Sequence, residues 1–180
     1  NGLYTLKTGT SYDSLSGNYS ARFSVGGSTF NKRLKIENVI PNRLDIKMDF
    51  GKDFITEEAI EATLASEWLH GGSAAGFTYD VAVQFQKGKT SFPKFAEYSF
   101  QNSITKLSAT EPQELQKNRL NDEGKASVTA TLIPPQESPG MLRARFTTRV
   151  YEPSGAFSID QYSIPYAPYD AFIGIKTPKG

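Results

Sequence analysis

Apolar and polar residues alternate most regularly between Pro139 and Pro165. Leu142, Ala144, Phe146, Thr148 and Val150 share one parity and Arg143, Arg145, Thr147 and Arg149 the other, the period of two that marks a strand with one buried face. Pro153 and Gly155 then supply a turn, one through its fixed φ and the other by tolerating positive φ, and the chain returns through residues 156–165. This pattern predicts a β-hairpin.

Other stretches alternate in the same way. Leu44, Ile46, Met48 and Phe50 predict a strand over residues 43–50; Phe77, Tyr79, Val81, Val83 and Phe85 predict another; Ala126, Val128, Ala130 and Leu132 a third, stopped by Pro134 and Pro135. Leu3 to Lys7 reads as a strand end and Gly9 to Ser16 as a polar loop, followed by strands over 18–25 and 29–39 joined at Gly26-Gly27-Ser28. Phe92 to Phe100, interrupted by Pro93, suits an edge strand or a crossover, and Asn102 to Leu120 shows little pattern. Residues 56–70 stay open: Ile60, Leu64, Ala65, Trp68 and Leu69 fit a helical period, while Ile60, Ala62, Leu64, Ser66 and Trp68 fit a strand. Short strands separated by turn residues point to an antiparallel sandwich.

The hairpin has an echo. Gly17-Asn18-Tyr19-Ser20-Ala21-Arg22-Phe23-Ser24 aligns with Gly140-Met141-Leu142-Arg143-Ala144-Arg145-Phe146-Thr147 at an offset of 123 residues; Ile36-Glu37 falls on Ile159-Asp160, and Ile40-Pro41 on Ile164-Pro165 after a slip of one. That spacing is far longer than a solenoid unit and suggests tandem domains, chance being the competing explanation for so short a match. Each copy would be the last hairpin of a domain. Residues 1–40 are then the tail of a preceding domain, 41–166 a complete one with its joint at Pro41-Asn42, and 167–180 the start of the next, where Ala171 to Lys176 reads as a strand beginning. The chain opens at Asn1-Gly2-Leu3 without a charged and apolar leader and reads as a piece of something longer.

Composition narrows the chemistry. Twenty lysines and arginines against 19 aspartates and glutamates give a net charge of +1, so no bulk field favours nucleic acid or an anionic membrane as a partner. No apolar run reaches the ~18 residues of a membrane-spanning helix. Cysteine is absent, which removes disulfides, thiolate nucleophiles and cysteine metal sites together.

The segment Ala65-Ser66-Glu67-Trp68-Leu69-His70-Gly71-Gly72-Ser73-Ala74-Ala75-Gly76-Phe77-Thr78-Tyr79-Asp80-Val81 resembles the W-L-x-G-x-P-A-x-x-L-x-x-x-V signature of macroglobulin domains in bacterial alpha-2-macroglobulins, especially the large Bacteroidetes members, with Ser73 where proline is common. Gly17-Asn18-Tyr19 with Val25-Gly26-Gly27 and Pro41-Asn42-Arg43-Leu44, then Asp122-Glu123-Gly124-Lys125-Ala126, and Arg145 to Val150 running on to Tyr166-Ala167-Pro168-Tyr169-Asp170, are similar as well. The resemblance implies an all-β fold, an antiparallel seven-stranded fibronectin-like or immunoglobulin-like β-sandwich, in which Ala59 to His70 is a strand. It also implies a parent protein of the bacterial envelope, periplasmic or anchored as a lipoprotein, that traps target proteases when a bait segment is cut and the domains rearrange. Many members carry a Cys-Gly-Glu-Gln thioester, which this cysteine-free chain lacks, leaving it a scaffold whose partners are neighbouring domains of the same parent.

Single residues add little chemistry. His70 is the sole histidine, so no triad or multi-histidine zinc site forms from this chain, and no phosphate loop, nucleophile elbow or H-E-x-x-H occurs. No catalytic residue, metal or cofactor is expected. Trp68 reads as a core residue at a strand end rather than a sugar platform. Asp122 and Glu123 read as turn residues, since the spaced oxygens of a calcium loop are missing. Arg143, Arg145 and Arg149 form a stripe that is either a solvated strand face or a contact for an acidic neighbour. The rival function is a surface adhesin or carbohydrate-binding module on the same sandwich, favoured by an exposed aromatic platform; aromatics buried at the joints near Pro41 and Pro165 would favour the scaffold.

Overall fold

The structure, a computed structural model, describes residues 5, 7, 9, 17–36, 42–100, 102 and 104–176. The strand read at residues 3–7, the loop at 9–16 and the joint residue Pro41 lie wholly or mainly outside them. The chain divides into two compact units, Asn1–Pro41 and Asn42–Gly180.

The first unit holds a hairpin, β1 (Gly17–Val25) against β2 (Ser28–Ile36). Gly26 and Gly27, with φ of 57° and 80°, make the two-residue turn in which both central residues need positive φ. Tyr19 pairs with Leu34 and Phe23 with Phe30 across the strands, so these rings and Leu34 share a face. Phe30 is 60% exposed and Tyr19 40%.

Seven strands build the second unit: β3 (Leu44–Asp49), β4 (Ala59–Trp68), β5 (Thr78–Lys87), β6 (Gln113–Arg119), β7 (Lys125–Thr131), β8 (Leu142–Tyr151) and β9 (Phe157–Tyr166). They form two antiparallel sheets, ordered β3-β4-β7 and β6-β5-β8-β9. The inward parities meet in one core of Leu44, Ile46, Met48, Ile60, Leu64, Tyr79, Val81, Val83, Phe85, Val128, Phe146, Val150 and Ile164. Phe50 packs against Phe146 (ring centroids 4.7 Å) and Tyr162 (5.6 Å), joining the layers. The fold is the all-β sandwich the resemblance implied.

Within the open segment 56–70, Ala59–Trp68 is strand and residues 69–70 turn away from it. Ile60, Ala62 and Leu64 are buried at a period of two, whereas Leu69, which the helical reading needs inside, is 66% exposed. Its alanines and glutamates favour helix locally, but β4 pairs on both edges, with β3 and β7, and that outweighs propensity.

Four expectations need correction. Residues 102–120, read as unpatterned, contain β6. Its register on β5 shifts between Val81 and Ala82, so Gln113, opposite Val83, and Gln116, opposite Val81, face inward although three residues apart. A bulge and polar inward residues together erase the alternation. Phe92 to Phe100 is no edge strand: Pro93–Phe95 is a short 3-10 turn, and Phe92, Phe95, Tyr98 and Phe100 pack on one another and on Phe172. It is no crossover either: β5 and β6 are hydrogen-bonded neighbours in one sheet, and this stretch lies in the long loop that joins them. Residues 171–176 form no strand either, only a bridge between Ile175 and Ser99. The internal repeat, finally, extends among the described residues over its first arm alone, its Glu37 and Ile40-Pro41 matches lying outside them. Ile36 faces Gly17 at the open end of its hairpin, while Ile159 faces Arg149 near the tip of the other, because one hairpin turns at Gly26-Gly27 and the other through residues 152–156.

Side-chain amides close both open sides of the sandwich. On one side Gln113 Nε2 donates to Thr131 O (2.9 Å) and its Oε1 accepts from Ile133 N (3.0 Å); Gln116 Nε2 donates to Ser127 O (3.3 Å) and its Oε1 accepts from Thr129 N (3.1 Å). These are the backbone groups β7 would offer to a further antiparallel strand. On the other side, Asn42 Nδ2 donates to Ile159 O (2.8 Å) and its Oδ1 accepts from Ile159 N (3.1 Å).

Candidate interaction surfaces

The densest polar constellation surrounds the entry to β3. Ser158, 1% exposed, points its Oγ at Arg43 N (3.0 Å) and Leu44 N (3.1 Å) and accepts from both. Arg43 Nη1 lies 2.9 Å from Glu152 Oε2, whose side chain is 4% exposed, and the guanidinium sits 5.2 Å from the centre of the Trp68 ring. The carboxylate is thus compensated by one cation that is itself 59% exposed. Ser154 Oγ adds a bond to Glu152 at 3.3 Å. These residues tie the first turn of the domain to its last hairpin; sequence reading marked the joint but missed Ser158 and Glu152, which stand on no motif.

Trp68 is half-buried, packing edge-on to Phe77 at 5.7 Å and beside His70 at 5.4 Å. His70 is exposed. Asp122 and Glu123 occupy the turn from β6 to β7, where Asn121 Oδ1 accepts from Glu123 N (3.0 Å) and Lys125 N (2.8 Å). Glu123 pairs with Lys125 at 3.0 Å. Gly124 has a φ of +75°, and a Cβ there would lie 2.5 Å from Ser66 O. Among the described residues no three His, Asp or Glu side chains gather as a metal group would require.

The arginine stripe lies on the outer face of the four-stranded sheet. Arg149 Nη1 is 3.2 Å from Asp80 Oδ1, and Tyr151 Oη donates to the other carboxylate oxygen. Burial first, and the Asp80 carboxylate second, push the Tyr151 phenol up to about 12. Arg143 and Arg145 have no ion pair among the described residues.

At the exit, Ile55 N donates to Pro165 O (2.9 Å), Ala167 N donates to Ile55 O (2.8 Å), and Tyr166, 2% exposed, packs on Phe85. Beyond it Ile175 exchanges two 2.8 Å backbone bonds with Ser99, and Lys176 Nζ lies 2.6 Å from Glu97. A groove of about 350 Å³ nearby is lined largely by Ile133, Pro134, Pro135, Pro168 and Tyr169. It brings together no acid, base and nucleophile. No helix among the described residues is long and apolar enough to cross a membrane.

Residues 42–168 match the family described as the bacterial alpha-2-macroglobulin MG5 domain. Among solved structures, the chain is similar to Escherichia coli alpha-2-macroglobulin in its native conformation (17% identity, TM-score 0.58, covering 91% of this chain and 10% of that one). It is similar also to Salmonella alpha-2-macroglobulin reacted with methylamine (17%, 0.57, 91% and 11%) and to the trypsin-activated Escherichia coli protein (17%, 0.57, 90% and 11%). The chain therefore spans about a tenth of the length of these proteins. No curated protein sequence matches it.

Proposed function

Residues 42–168 make this chain a member of the bacterial alpha-2-macroglobulin MG5 domain family, and from that premise we propose that it is a passive scaffold segment of a protein that traps proteases. In this reading a target protease cuts a bait segment elsewhere in the parent, the domains rearrange, and the protease is caged. The chain itself performs no reaction and holds no cofactor; a thioester, if the parent has one, lies outside it, since that bond needs a cysteine. The parent resides in the bacterial envelope, periplasmic or lipid-anchored.

The observation that carries the reading is the construction of the two joints. Asn42, Arg43 and Leu44 are locked to Ser158, Ile159 and Glu152, and Pro165 and Ala167 to Ile55, so chain entry and exit are rigid parts of the core. A unit built this way transmits force and orientation between neighbours.

The first hairpin fits the same scheme. Tyr19, Ala21 and Phe23 correspond to Leu142, Ala144 and Phe146, which are buried in the complete sandwich. We assign residues 1–40 to the end of a preceding domain, whose core Tyr19 and Phe23 would cover, and residues 167–180 to the approach to the next.

The test uses the full-length parent and a broad-specificity serine protease. Trapping blocks cleavage of casein while sparing a small chromogenic peptide, because a cage excludes large substrates. Undiminished casein cleavage overturns the proposal. The carbohydrate-binding alternative has weaker support: Phe95 and Tyr98 are exposed, but they pack edge to face (88°) and form no flat platform.

A further inference from the structure

The two outer faces of the sandwich carry opposite charge. On the four-stranded sheet, the outward residues of β8 are Arg143, Arg145, Thr147, Arg149 and Tyr151; the register places Gln84 and Ser163 beside Arg145, and Gln86 and Pro165 beside Arg143. On β6, Lys117 lies opposite Asp80, Arg119 opposite Thr78 and Glu114 opposite Ala82. Asp80 is taken up by Arg149 and Tyr151. Lys117, Arg119, Arg143 and Arg145 have no ion pair among the described residues, against the single carboxylate of Glu114.

On the three-stranded sheet, the outward positions of β3 and β4 include Asp45, Asp49, Glu61 and Glu67. Lys47 engages Asp45 (2.7 Å) and Glu67 (3.8 Å), leaving Asp49 and Glu61 without a cation. Asp49 pairs with Thr63, so Glu61 is its diagonal neighbour across the strands, about 7 Å away. Arg143 and Arg145, two residues apart on one strand, stand about 7 Å apart as well.

We propose that the outer face of the four-stranded sheet is a docking surface for the acidic sheet face of another β-sandwich domain, with Arg143 and Arg145 as its anchors. The occupant follows from charge and spacing: carboxylates borne on a sheet at about 7 Å meet two guanidinium groups at the same interval, and this fold presents such carboxylates on its other side. Residue type agrees. Three of the seven arginines stand on β8, which has no lysine, and arginine forks carboxylates and loses less on desolvation than lysine. Farther along the same face, Thr147 and, beside Arg149 and Tyr151, Ile159 and Phe157 are half-buried, a mixed surface suited to a protein rather than to a phosphate backbone, which needs a longer cationic track. The inference does not depend on protease trapping, since it concerns only this face of the chain.

The test measures fluorescence anisotropy of a labelled poly-L-glutamate peptide titrated with the whole chain, the peptide standing in for the carboxylate face. Binding is expected to weaken as salt rises from about 50 to about 300 mM. It is also expected to weaken about five-fold or more in R143Q/R145Q and less than about two-fold in K52Q/K125Q, which removes equal charge elsewhere. Both substitutions are at surface side chains, and circular dichroism verifies that the variants are folded. Equal loss in the two variants overturns the proposal, as does tighter binding to duplex DNA than to the peptide.

Discussion

Glu152 is a buried carboxylate whose one cation, Arg43, is largely in solvent. Removing the cation strands the charge, so Arg43→Ala should cost about 1–3 kcal/mol in a urea melt, below the figure for a fully buried pair because water screens the exposed partner. Glu152→Gln should be milder. Ser66 behaves oppositely: its Oγ is buried without a hydrogen-bond partner among the described residues, so Ser66→Ala should be neutral or stabilising by up to about 1 kcal/mol in the same melt. At Gly124 the left-handed backbone and the close Ser66 carbonyl act together, and Gly124→Ala should lower stability by at least about 2 kcal/mol. Tyr151 sets an alkaline limit. Its folded value of about 12 lies above the unfolded 10, so the stability it lends is complete below pH 10 and is lost as pH rises through the interval to 12. Melting temperatures followed by circular dichroism from about pH 9 to about pH 12 should fall less steeply in Tyr151→Phe. Burial also raises Tyr79 and Tyr166, so part of the decline persists in that variant.

At the scale of elements, strands whose inward residues are apolar, or apolar but for one threonine, were readable from alternation, as β3, β5 and β8 show. Two were not, for different reasons. In β4 local propensity and tertiary pairing disagree, and pattern alone has no means of weighing one against the other. In β6 two inward side chains, Gln113 and Gln116, are amides whose partners are the backbone of β7, a contact that leaves no apolar signature, and Leu115, which also packs on the core, stands at the bulge where the parity shifts. Replacing both amides, in Gln113→Ala/Gln116→Ala, should cost about 2–4 kcal/mol and bare the edge of β7. The check is a denaturant melt together with light scattering at rising concentration, where the variant should aggregate first. Gln116 Nε2 also donates to the buried Tyr79 hydroxyl at 2.8 Å, so the double variant leaves that oxygen unsatisfied.

For the whole molecule, alternation and turn residues sufficed for an antiparallel sandwich, and the Trp68 to Val81 segment pointed to the family that the match over residues 42–168 shows. The repeat aligns the first arms of two hairpins, from Tyr19 to Phe23 and from Leu142 to Phe146, and loses its match beyond the turns, since a sequence offset cannot detect a longer loop. The polar joints were invisible because Ser158 and Glu152 are more than a hundred residues from the Asn42 to Leu44 segment they hold. The same separation explains why these contacts leave no motif in the sequence: they are pairings between distant strands.

The glutamine seam between β6 and β7 has one more consequence. A ladder of main-chain bonds is fixed by the strands that carry it, whereas an amide at the end of a rotatable stem can follow its target over small displacements. The two layers can therefore slide slightly along that border while the linkages stay intact, as a stitched hem gives under tension where a weld would crack. Amide deuteration should report it, with Thr129 and Ile133 exchanging faster than Val128 and Ala130, whose groups face β4.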